Sequence, residues 1–186
     1  MLPQEISRRR FDADEYHRMG EVGLLTEDDR VELIRGEIVE MNPTGVLHLN
    51  CVTRLNHMLV EQARGRYLVS VQNPIAAADE SEPEPDFSLL RGLPQPGDGP
   101  PSGEDVLIAI EVSDTTLAYD RNVKLPLYAE TEIAEVWIID LAGKRIEVYS
   151  RPDGGTYREK RTFGTEEEAI SATLDGLTVP VDEVLR

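Results

Sequence analysis

The sequence predicts a mixed α/β fold (α+β) with a central mixed β-sheet flanked by helices. Its centre is a strand–helix–strand pattern at 105–112, 119–130 and 135–140, which is typical of a β-α-β unit with two parallel strands. A hairpin at 31–41 precedes this unit, and antiparallel strands at 145–163 follow it. The chain has 186 residues, enough for one domain with a hydrophobic core, so we expect a single domain over 1–186.

Composition limits the classes of protein to which the chain can belong. Its hydrophobic content of 40% is typical of a globular protein, and it has no run of about 18 apolar residues that would span a membrane. Residues 1–10 contain arginines but no apolar segment after them, so we expect no signal peptide. The single cysteine, Cys51, cannot form an internal disulfide, and a cytoplasmic location is therefore expected.

The net charge of −17, from 36 acidic and 19 basic residues, has the wrong sign for a protein that binds nucleic acid. Two short basic runs, at 8–10 and 158–161, are local exceptions. Each run alone is more typical of a solvated face than of a phosphate-binding site. Charge therefore weighs against a nucleic-acid substrate, so any case for one depends on specific residues.

Periodicity and turn residues define the elements that precede the β-α-β unit. A short helix is expected at 12–20, because aspartates stand near its start and glycines near its end. The longest helical pattern, 44–65, repeats apolar residues at steps of three and four and ends at a glycine. The remaining segments are strands expected at 66–72, 75–78 and 85–90, with a solvated acidic loop at 79–84.

Two further features follow from proline and glycine. The Gly- and Pro-rich segment 91–103 is predicted to be a loop. Within the helix at 119–130, Pro126 removes one main-chain hydrogen bond, so we expect an irregular first turn or a later start.

Two strand-length apolar runs, 85–90 and 105–113, each carry one carboxylate that the pattern does not explain. Asp86 opens the first run and Glu111 closes the second. A strand with apolar residues on both faces gives a charge no structural role, and burying an unpaired charge is costly. If the runs are neighbours, the two carboxylates meet at one edge of the sheet and can share a divalent cation. Mg²⁺ takes a few carboxylate oxygens and keeps several waters.

Lys124 is the best candidate for a positive partner of these carboxylates. It lies four residues after Asp120, about 6 Å along the helix axis, on the helix that follows the strand of Glu111. In a functional interpretation, its ammonium holds an attacking water or stabilises charge on a scissile phosphate. In a structural interpretation, Lys124 and Asp120 form a surface ion pair worth a few tenths of a kcal/mol.

Other polar residues also have a structural interpretation. Glu32 lies inside the first strand of the hairpin, where an alternating pattern most simply places it in solvent. His48 and His57 lie on the long helix without a nearby acid or cysteine pattern, so this pattern does not predict either as a metal ligand.

An ordered set of motifs is similar to the PD-(D/E)xK nuclease superfamily and, within it, to the Uma-type family of restriction-endonuclease-like proteins. Pro85-Asp86 stands in the expected order before Glu111, although this dipeptide alone is a weak signal. The full set covers nearly the whole chain. The matching positions are 31–39, His48, Pro85-Asp86, 110–113, Thr116, Asp120, Lys124, Tyr128 and 135–140.

The resemblance implies a restriction-endonuclease-like fold, Mg²⁺ or Mn²⁺ as cofactor, and hydrolysis of phosphodiester bonds in nucleic acid, with DNA as the expected substrate. It implies that Asp86 and Glu111 are catalytic and bind the metal, with the Val112 carbonyl as a further ligand, and that Lys124 is catalytic. Supporting positions implied near the site are Glu32, His48 and Asp120.

The chain departs from the superfamily at two places. The usual lysine two residues after the acid is Ser113 here, and the Uma-type branch is similar in using a lysine on the next helix, which is Lys124. Where the family has glycine after that helix, this chain has Thr131-Glu132, a change expected to affect only the helix cap.

Three hypotheses remain open from the sequence. The first is a metal-dependent endonuclease, and the second is a catalytically silent binding or assembly module with the same fold, which the charge favours. The third, an acidic mimic of nucleic acid, explains the charge but not the carboxylates within apolar strands. A homodimer is expected because cutting two strands requires two sites. Its interface would be an exposed strand edge or the apolar tail with Leu177, Val179 and Leu185.

Overall fold

The computed structural model describes residues 8–26, 28–43, 45–95 and 97–186. The first seven residues and Thr44, the predicted first residue of the long helix, lie outside the described residues. The helices are Ala13–Glu21 (α1), Val46–Ala63 (α2), Leu117–Tyr119 (α3), Leu125–Glu130 (α4) and Val181–Val184 (α5). The strands are Val31–Ile34 (β1), Glu37–Glu40 (β2), Leu68–Val71 (β3), Phe87–Leu90 (β4), Val106–Ser113 (β5), Glu135–Asp140 (β6), Arg145–Asp153 (β7), Thr156–Gly164 (β8), Glu168–Ile170 (β9) and Thr178–Pro180 (β10).

Six strands form the central mixed sheet, in the order β3-β4-β5-β6-β7-β8. Strands β5 and β6 are parallel because a helical crossover joins them, and every other neighbouring pair is antiparallel. The predicted β-α-β unit and mixed sheet are therefore confirmed, with β7 and β8 extending the sheet as antiparallel strands. In the described part of the chain, no helix is both long enough and apolar enough to cross a bilayer.

The inner strands β4, β5 and β6 are covered on both faces, which explains their nearly continuous apolar sequences. On β6, Trp137 and Ile139 pack in a buried cluster with Leu55 of α2. Their neighbours Val136 and Ile138 belong to a second cluster, together with Tyr128 of α4. Because side chains alternate along β5 in the same way, Glu111 points toward the α4 side.

The C-terminal tail packs onto the α2 face of the sheet. Strands β9 and β10 pair antiparallel, and Leu177 and Val179 are fully buried in the cluster that contains α2. The carboxylate of Glu135 accepts hydrogen bonds from the main-chain N–H groups of Ala172 and Thr173, both at 2.7 Å. The prediction that Leu177 and Val179 contribute to a dimer interface is therefore wrong, because both side chains are buried within this chain, while Leu185 of the same predicted interface is partly buried against the same cluster.

The N-terminal hairpin is confirmed, and its turn has a clear local cause. Arg35 and Gly36 both have positive φ, 51° and 77°, as a tight two-residue hairpin turn requires. Ile34 of the hairpin and Leu127 of α4 are buried in one small cluster, with Tyr119 packed against it. The hairpin therefore lies against the helical crossover, and this contact brings β1 to the edge of the site.

The structure differs from the sequence-based prediction in two segments. Residues 75–78 form isolated bridges instead of a strand, because Ala76 pairs with Ser102 and Ala78 closes a turn onto Ser81. The acidic loop at 79–84 is not simply solvated: Ser81 and Glu82 are buried, and the main-chain N–H of Glu82 donates to the carbonyl of Leu33 at 2.7 Å. The acidic loop therefore pairs with the hairpin, and this contact buries part of the loop.

The crossover helix is interrupted by one π-helical turn, Asp120–Lys124, between α3 and α4. The N–H of Leu125 donates to the carbonyl of Asp120, five residues earlier. Pro126 follows directly, and its ring would collide with the carbonyl four residues before it in a regular helix. The predicted irregularity is therefore present, although the helical segment begins at Leu117.

Candidate active site

Asp86 and Glu111 lie side by side at one edge of the central sheet. The last pair in the β4–β5 register is Phe87 with Ile110, and these two acids are the next residues along each strand. Both line a cleft of about 1420 Å³ between the sheet edge, α1 and the crossover. The sequence-based expectation that two neighbouring strands bring these carboxylates together agrees with this arrangement.

Asp86 is held by donors from three elements. Its Oδ2 accepts a hydrogen bond from the main-chain N–H of Val112 at 2.8 Å, and Gln72 Nε2 lies 3.3 Å from Oδ1. His48 Nε2 lies 3.1 Å from the carboxylate. This hydrogen bond raises the pKa of His48, while burial opposes the rise. The histidine of α2 is therefore a site residue, which its position in the helical pattern alone did not indicate.

Glu111 is only 4% exposed, and two donors reach the same oxygen of its carboxylate. The Tyr128 hydroxyl donates to Oε1 at 2.5 Å, and the Lys124 ammonium lies 3.2 Å from Oε1. Burial raises the pKa of Glu111 well above its ordinary value, although the Lys124 ammonium opposes this shift. Glu111 is therefore a carboxylate whose charge depends on its positive neighbours.

Lys124 is buried, with 4% of its surface exposed, and its ammonium lies between two carboxylates. Its Nζ is 3.0 Å from Glu32 Oε2 and 3.2 Å from Glu111 Oε1, and it donates to the Glu84 carbonyl at 3.4 Å. Burial lowers the pKa of Lys124, but Glu111 and Glu32 together raise it above its ordinary value. The ammonium therefore stays protonated at neutral pH, and the interpretation of Lys124 as a surface partner of Asp120 is wrong.

Of the two acids that the sequence suggested as its partners, the ammonium pairs with Glu111 but not with Asp86. Lys124 pairs with Glu111 and Glu32, whereas Asp86 pairs with His48. Glu32 is 3% exposed, so its interpretation as a solvent-facing strand residue is wrong. The hairpin packs against the crossover, and this tertiary contact turns an outward strand position into a buried one.

Asp120 lies one turn before Lys124 but forms its hydrogen bonds with a different set of residues. Its Oδ2 accepts hydrogen bonds from Ser113 Oγ and Thr116 Oγ1, both at 2.7 Å. Burial raises the pKa of Asp120, and these two hydrogen bonds oppose the shift. Asp120 therefore ties the start of the crossover to the end of β5, next to the residues that follow Glu111.

Three residues of the site received no role from the sequence: Gln72, Glu84 and Tyr128. Tyr128 lies four residues after Lys124, and this helical spacing is a signal that both reach the same place. Glu84 lies two residues before Asp86, which places both on one side of an extended segment. Gln72 has no comparable signal, since only the pairing of β3 with β4 brings it to Asp86.

The donor set suits a hard divalent cation, although few side chains contribute to it. Among the described residues, no three His, Cys, Asp or Glu side chains are arranged to hold a metal ion. Asp86 and Glu111 supply two carboxylates, and Val112 lies beyond the last β4–β5 pair with its N–H directed at Asp86. Since the N–H and C=O of one strand residue face the same neighbour, its carbonyl faces the same side. Two carboxylates and one carbonyl, completed by waters, are what Mg²⁺ commonly takes.

The cleft around the site is strongly acidic. Besides two histidines, its basic lining residues are Arg30 and Lys124, and Lys124 already pairs with Glu32 and Glu111. The acidic lining residues are Glu21, Asp29, Glu32, Glu40, Glu84, Asp86, Glu111, Asp114 and Asp120. The cleft therefore repels a polyanion unless cations or a narrow geometry of approach compensate.

Comparison with known proteins gives a matching family profile and a solved structure of similar fold. The sequence profile of the Uma2 family, described as "Putative restriction endonuclease", matches residues 13–182. The fold is similar to the crystal structure of a "putative nuclease belonging to DUF820" from Anabaena variabilis ATCC 29413, with a TM-score of 0.67 and 16% identity. That similarity covers 94% of this chain and 97% of the other. No curated protein matches the chain.

Proposed function

Because the chain belongs to the Uma2 family of restriction-endonuclease-like proteins, we propose that it is a Mg²⁺- or Mn²⁺-dependent endonuclease that hydrolyses phosphodiester bonds in nucleic acid, with DNA as substrate. One observation carries the proposal. A buried, protonated ammonium, that of Lys124, lies against Glu111 in a cleft that Asp86 also lines. Such a combination of two carboxylates and a fixed positive charge suits phosphoryl chemistry better than structural support, since buried ion pairs add little stability.

In this proposal, Asp86, Glu111 and the Val112 carbonyl hold the cation. A bound divalent cation polarises a phosphoryl oxygen and lowers the pKa of a bound water. Within the chain, the His48 and Val112 N–H contacts fix Asp86, and Tyr128 and Lys124 fix Glu111. Preorganised ligands of this kind avoid a reorganisation cost during the reaction.

Lys124 acts as a fixed positive charge in this proposal. Its pKa is raised, so it donates hydrogen bonds and does not take a proton from water. During hydrolysis the oxygen of water bonds to phosphorus, the bond from phosphorus to the leaving sugar oxygen breaks, and that oxygen takes up a proton. The ammonium holds the attacking water or a phosphoryl oxygen while negative charge develops. Glu32 keeps the ammonium in place, and Asp120 holds the start of its helix.

A cleavage assay tests the proposal directly. Supercoiled plasmid, single-stranded DNA and RNA are incubated with the protein in Mg²⁺, Mn²⁺ or EDTA. We expect metal-dependent cleavage that Asp86→Ala and Glu111→Ala abolish, together with stabilisation of the wild type by metal that both variants lose. Metal-induced stabilisation of both variants equal to that of the wild type would show that the assigned ligands are wrong.

A second candidate is a binding or assembly module that keeps the fold but cleaves nothing. The acidic cleft and the net charge of −17 favour it, because both oppose the approach of a polyanion. The same assay separates the two: a module of this kind leaves all three substrates intact, whereas an endonuclease nicks at least one.

We also propose that two copies act together, since cutting both strands of a duplex requires two sites. Leu177 and Val179 are buried within this chain and Leu185 is partly buried against the same cluster, so the outer strands of the sheet, β3 and β8, are the better candidates for the interface. Light scattering at tens of micromolar is expected to give twice the chain mass of 20.8 kDa, and a monomer at that mass contradicts the proposal. The cytoplasm is the proposed location, because Cys51 is a lone buried thiol.

A further inference from the structure

Tyr128 is fully buried on α4, and its hydroxyl finds its partner in a carboxylate of the candidate site. The hydroxyl donates to Glu111 Oε1 at 2.5 Å. A buried hydroxyl requires a hydrogen-bond partner, and a bond to a charged acceptor is about twice as strong as one between neutral groups. The ring packs in the cluster on the α4 side of the sheet, which fixes the position of the hydroxyl.

The tyrosine and Lys124 act on the same atom. Their positions are four residues apart, so they lie on one helix face. Tyr128 donates to Oε1 of Glu111, and the ammonium lies 3.2 Å from that same oxygen. Neither occupies Oε2, and a rotation of the carboxylate about its last bond would break both contacts. The plane of the carboxylate is therefore fixed, with one oxygen held by the protein.

We propose that Tyr128 is a positioning residue that orients Glu111 so that Oε2 alone binds the divalent cation, an inference that rests on the proposed metal-dependent function. With Oε1 held, Glu111 binds the cation through one oxygen and needs no reordering. Partners that hold a ligating carboxylate in this way typically contribute about 10–100-fold to metal affinity.

The chain contains a matched control for this pair. The Tyr149 hydroxyl donates to Glu147 Oε2 at 2.7 Å, and both residues are buried on β7. Neither lines the cleft. Tyr128→Phe and Tyr149→Phe therefore remove the same kind of hydrogen bond, one inside the candidate site and one outside it.

The experiment measures the binding of Mn²⁺ alone, by calorimetry, and thermal unfolding in EDTA. Wild type, Tyr128→Phe, Tyr149→Phe and Asp86→Asn are compared. We expect Tyr128→Phe to weaken Mn²⁺ binding about tenfold or more, and Tyr149→Phe to leave it unchanged. Each Tyr→Phe change removes one buried hydrogen bond, so both are expected to lower the unfolding temperature similarly. A purely structural tyrosine would lower that temperature without changing Mn²⁺ affinity, and this result would overturn the inference.

The outcomes separate this inference from the proposed function. If the wild type does not bind Mn²⁺, both fail. If Asp86→Asn abolishes binding and Tyr128→Phe keeps it, only the role of Tyr128 fails. If Tyr128→Phe does not fold, a crystal structure of the wild type with Mn²⁺ decides. We expect Mn²⁺ on Oε2 with the Tyr128 hydroxyl still on Oε1, and a cation bound to Oε1 or to both oxygens contradicts the inference.

Discussion

At the scale of single residues, the site is a balance between buried charges of opposite sign. Glu32 and Glu111 are both nearly inaccessible, and the Lys124 ammonium lies within 3.2 Å of each. Burial works against the charges of Glu111 and Lys124, and each of these two groups favours the ionised form of the other. Removing one member therefore changes the chemistry of the whole group and not just one contact.

Lys124→Met is expected to separate metal binding from turnover. Without the ammonium, Glu111 and Asp86 attract a divalent cation as well as before or better, while cleavage falls by roughly 10² or more. Breaking a buried pair also costs about 3–5 kcal/mol of stability. Lys160→Met is the control, because Lys160 pairs with Glu147 at 2.9 Å while 45% exposed, and its loss costs about 1 kcal/mol or less. Loss of Mn²⁺ binding in Lys124→Met would contradict this assignment.

Glu111 makes the stability of the metal-free protein depend on pH. Burial raises its pKa well above the unfolded value, so its contribution is present below the unfolded pKa and is lost as pH rises through the folded pKa. In denaturant titrations in EDTA, we expect wild type to lose stability relative to Glu111→Gln over the pH range above the unfolded pKa of glutamate, about 4.3. Saturating Mn²⁺ binds the ionised form of Glu111, so in its presence the stability of wild type relative to Glu111→Gln should rise with pH. A constant difference across this range would show that the pKa of Glu111 is not raised.

The sequence identified Asp86, Glu111 and Lys124 as a group but not their pairing. Asp86 and Glu111 were predictable because each interrupts an apolar strand. The pairing of Lys124 with Glu32 was not, because it requires β1 to pack on the crossover, a contact between segments far apart in the sequence. His48 had no local signal either, since its partner Asp86 lies 38 residues away.

At the scale of elements, turn chemistry and periodicity predicted most of the strands and helices. The hairpin, α2 and the β-α-β unit follow from local patterns that need no knowledge of the fold. The segment 75–84 does not, because its apolar and acidic residues are placed by bridges to distant residues, including the bridge between Glu82 and Leu33. A regular local pattern thus specifies a helix or strand. Where a segment lacks such a pattern, its conformation depends on pairing with distant residues.

The end of α4 offers a test at this scale. Glu132 has a φ of 61°, a left-handed conformation that favours glycine, and it lies two residues after the end of α4. Glu132→Gly is expected to raise the free energy of unfolding by about 0.5–1 kcal/mol. Glu61→Gly, within the exposed face of α2, should lower it by about 1 kcal/mol. Urea denaturation measures both, and destabilisation by Glu132→Gly would show that its side chain makes an interaction worth more than the backbone strain.

At the scale of the whole molecule, charge is the main obstacle to a nucleic-acid substrate. The chain carries −17, and the cleft itself is lined mostly by acids. Long-range repulsion of this kind slows association and weakens binding, while the chemistry at the centre of the site is unaffected. Composition alone predicted the sign of this field but not its concentration at the cleft, which depends on how α1, the hairpin and the crossover meet.

Neutralising the cleft rim should therefore improve substrate binding without changing chemistry. The double variant Glu21→Gln, Glu40→Gln removes two exposed acids that line the cleft, and we expect its KM to fall a few-fold with kcat unchanged. The control Asp182→Asn, Glu183→Gln removes the same charge from α5, which does not line the cleft. Initial rates at low ionic strength measure both. An equal effect of the two double variants would assign the repulsion to net charge instead of the cleft.

The π-helical turn makes the site sensitive to chain length as well as to residue identity. The turn holds five residues where a regular helix would place four, so deleting Asn122 would remove the extra residue, although Pro126 still interrupts the hydrogen-bond ladder. Such a deletion rotates the segment before it by about 100° relative to α4. Lys124 and Tyr128 would remain on one helix face, whereas Asp120 would turn away from Ser113. Deleting one residue from this helix would thus separate Asp120 from Lys124 and Tyr128, although every residue of the site would still be present in the chain.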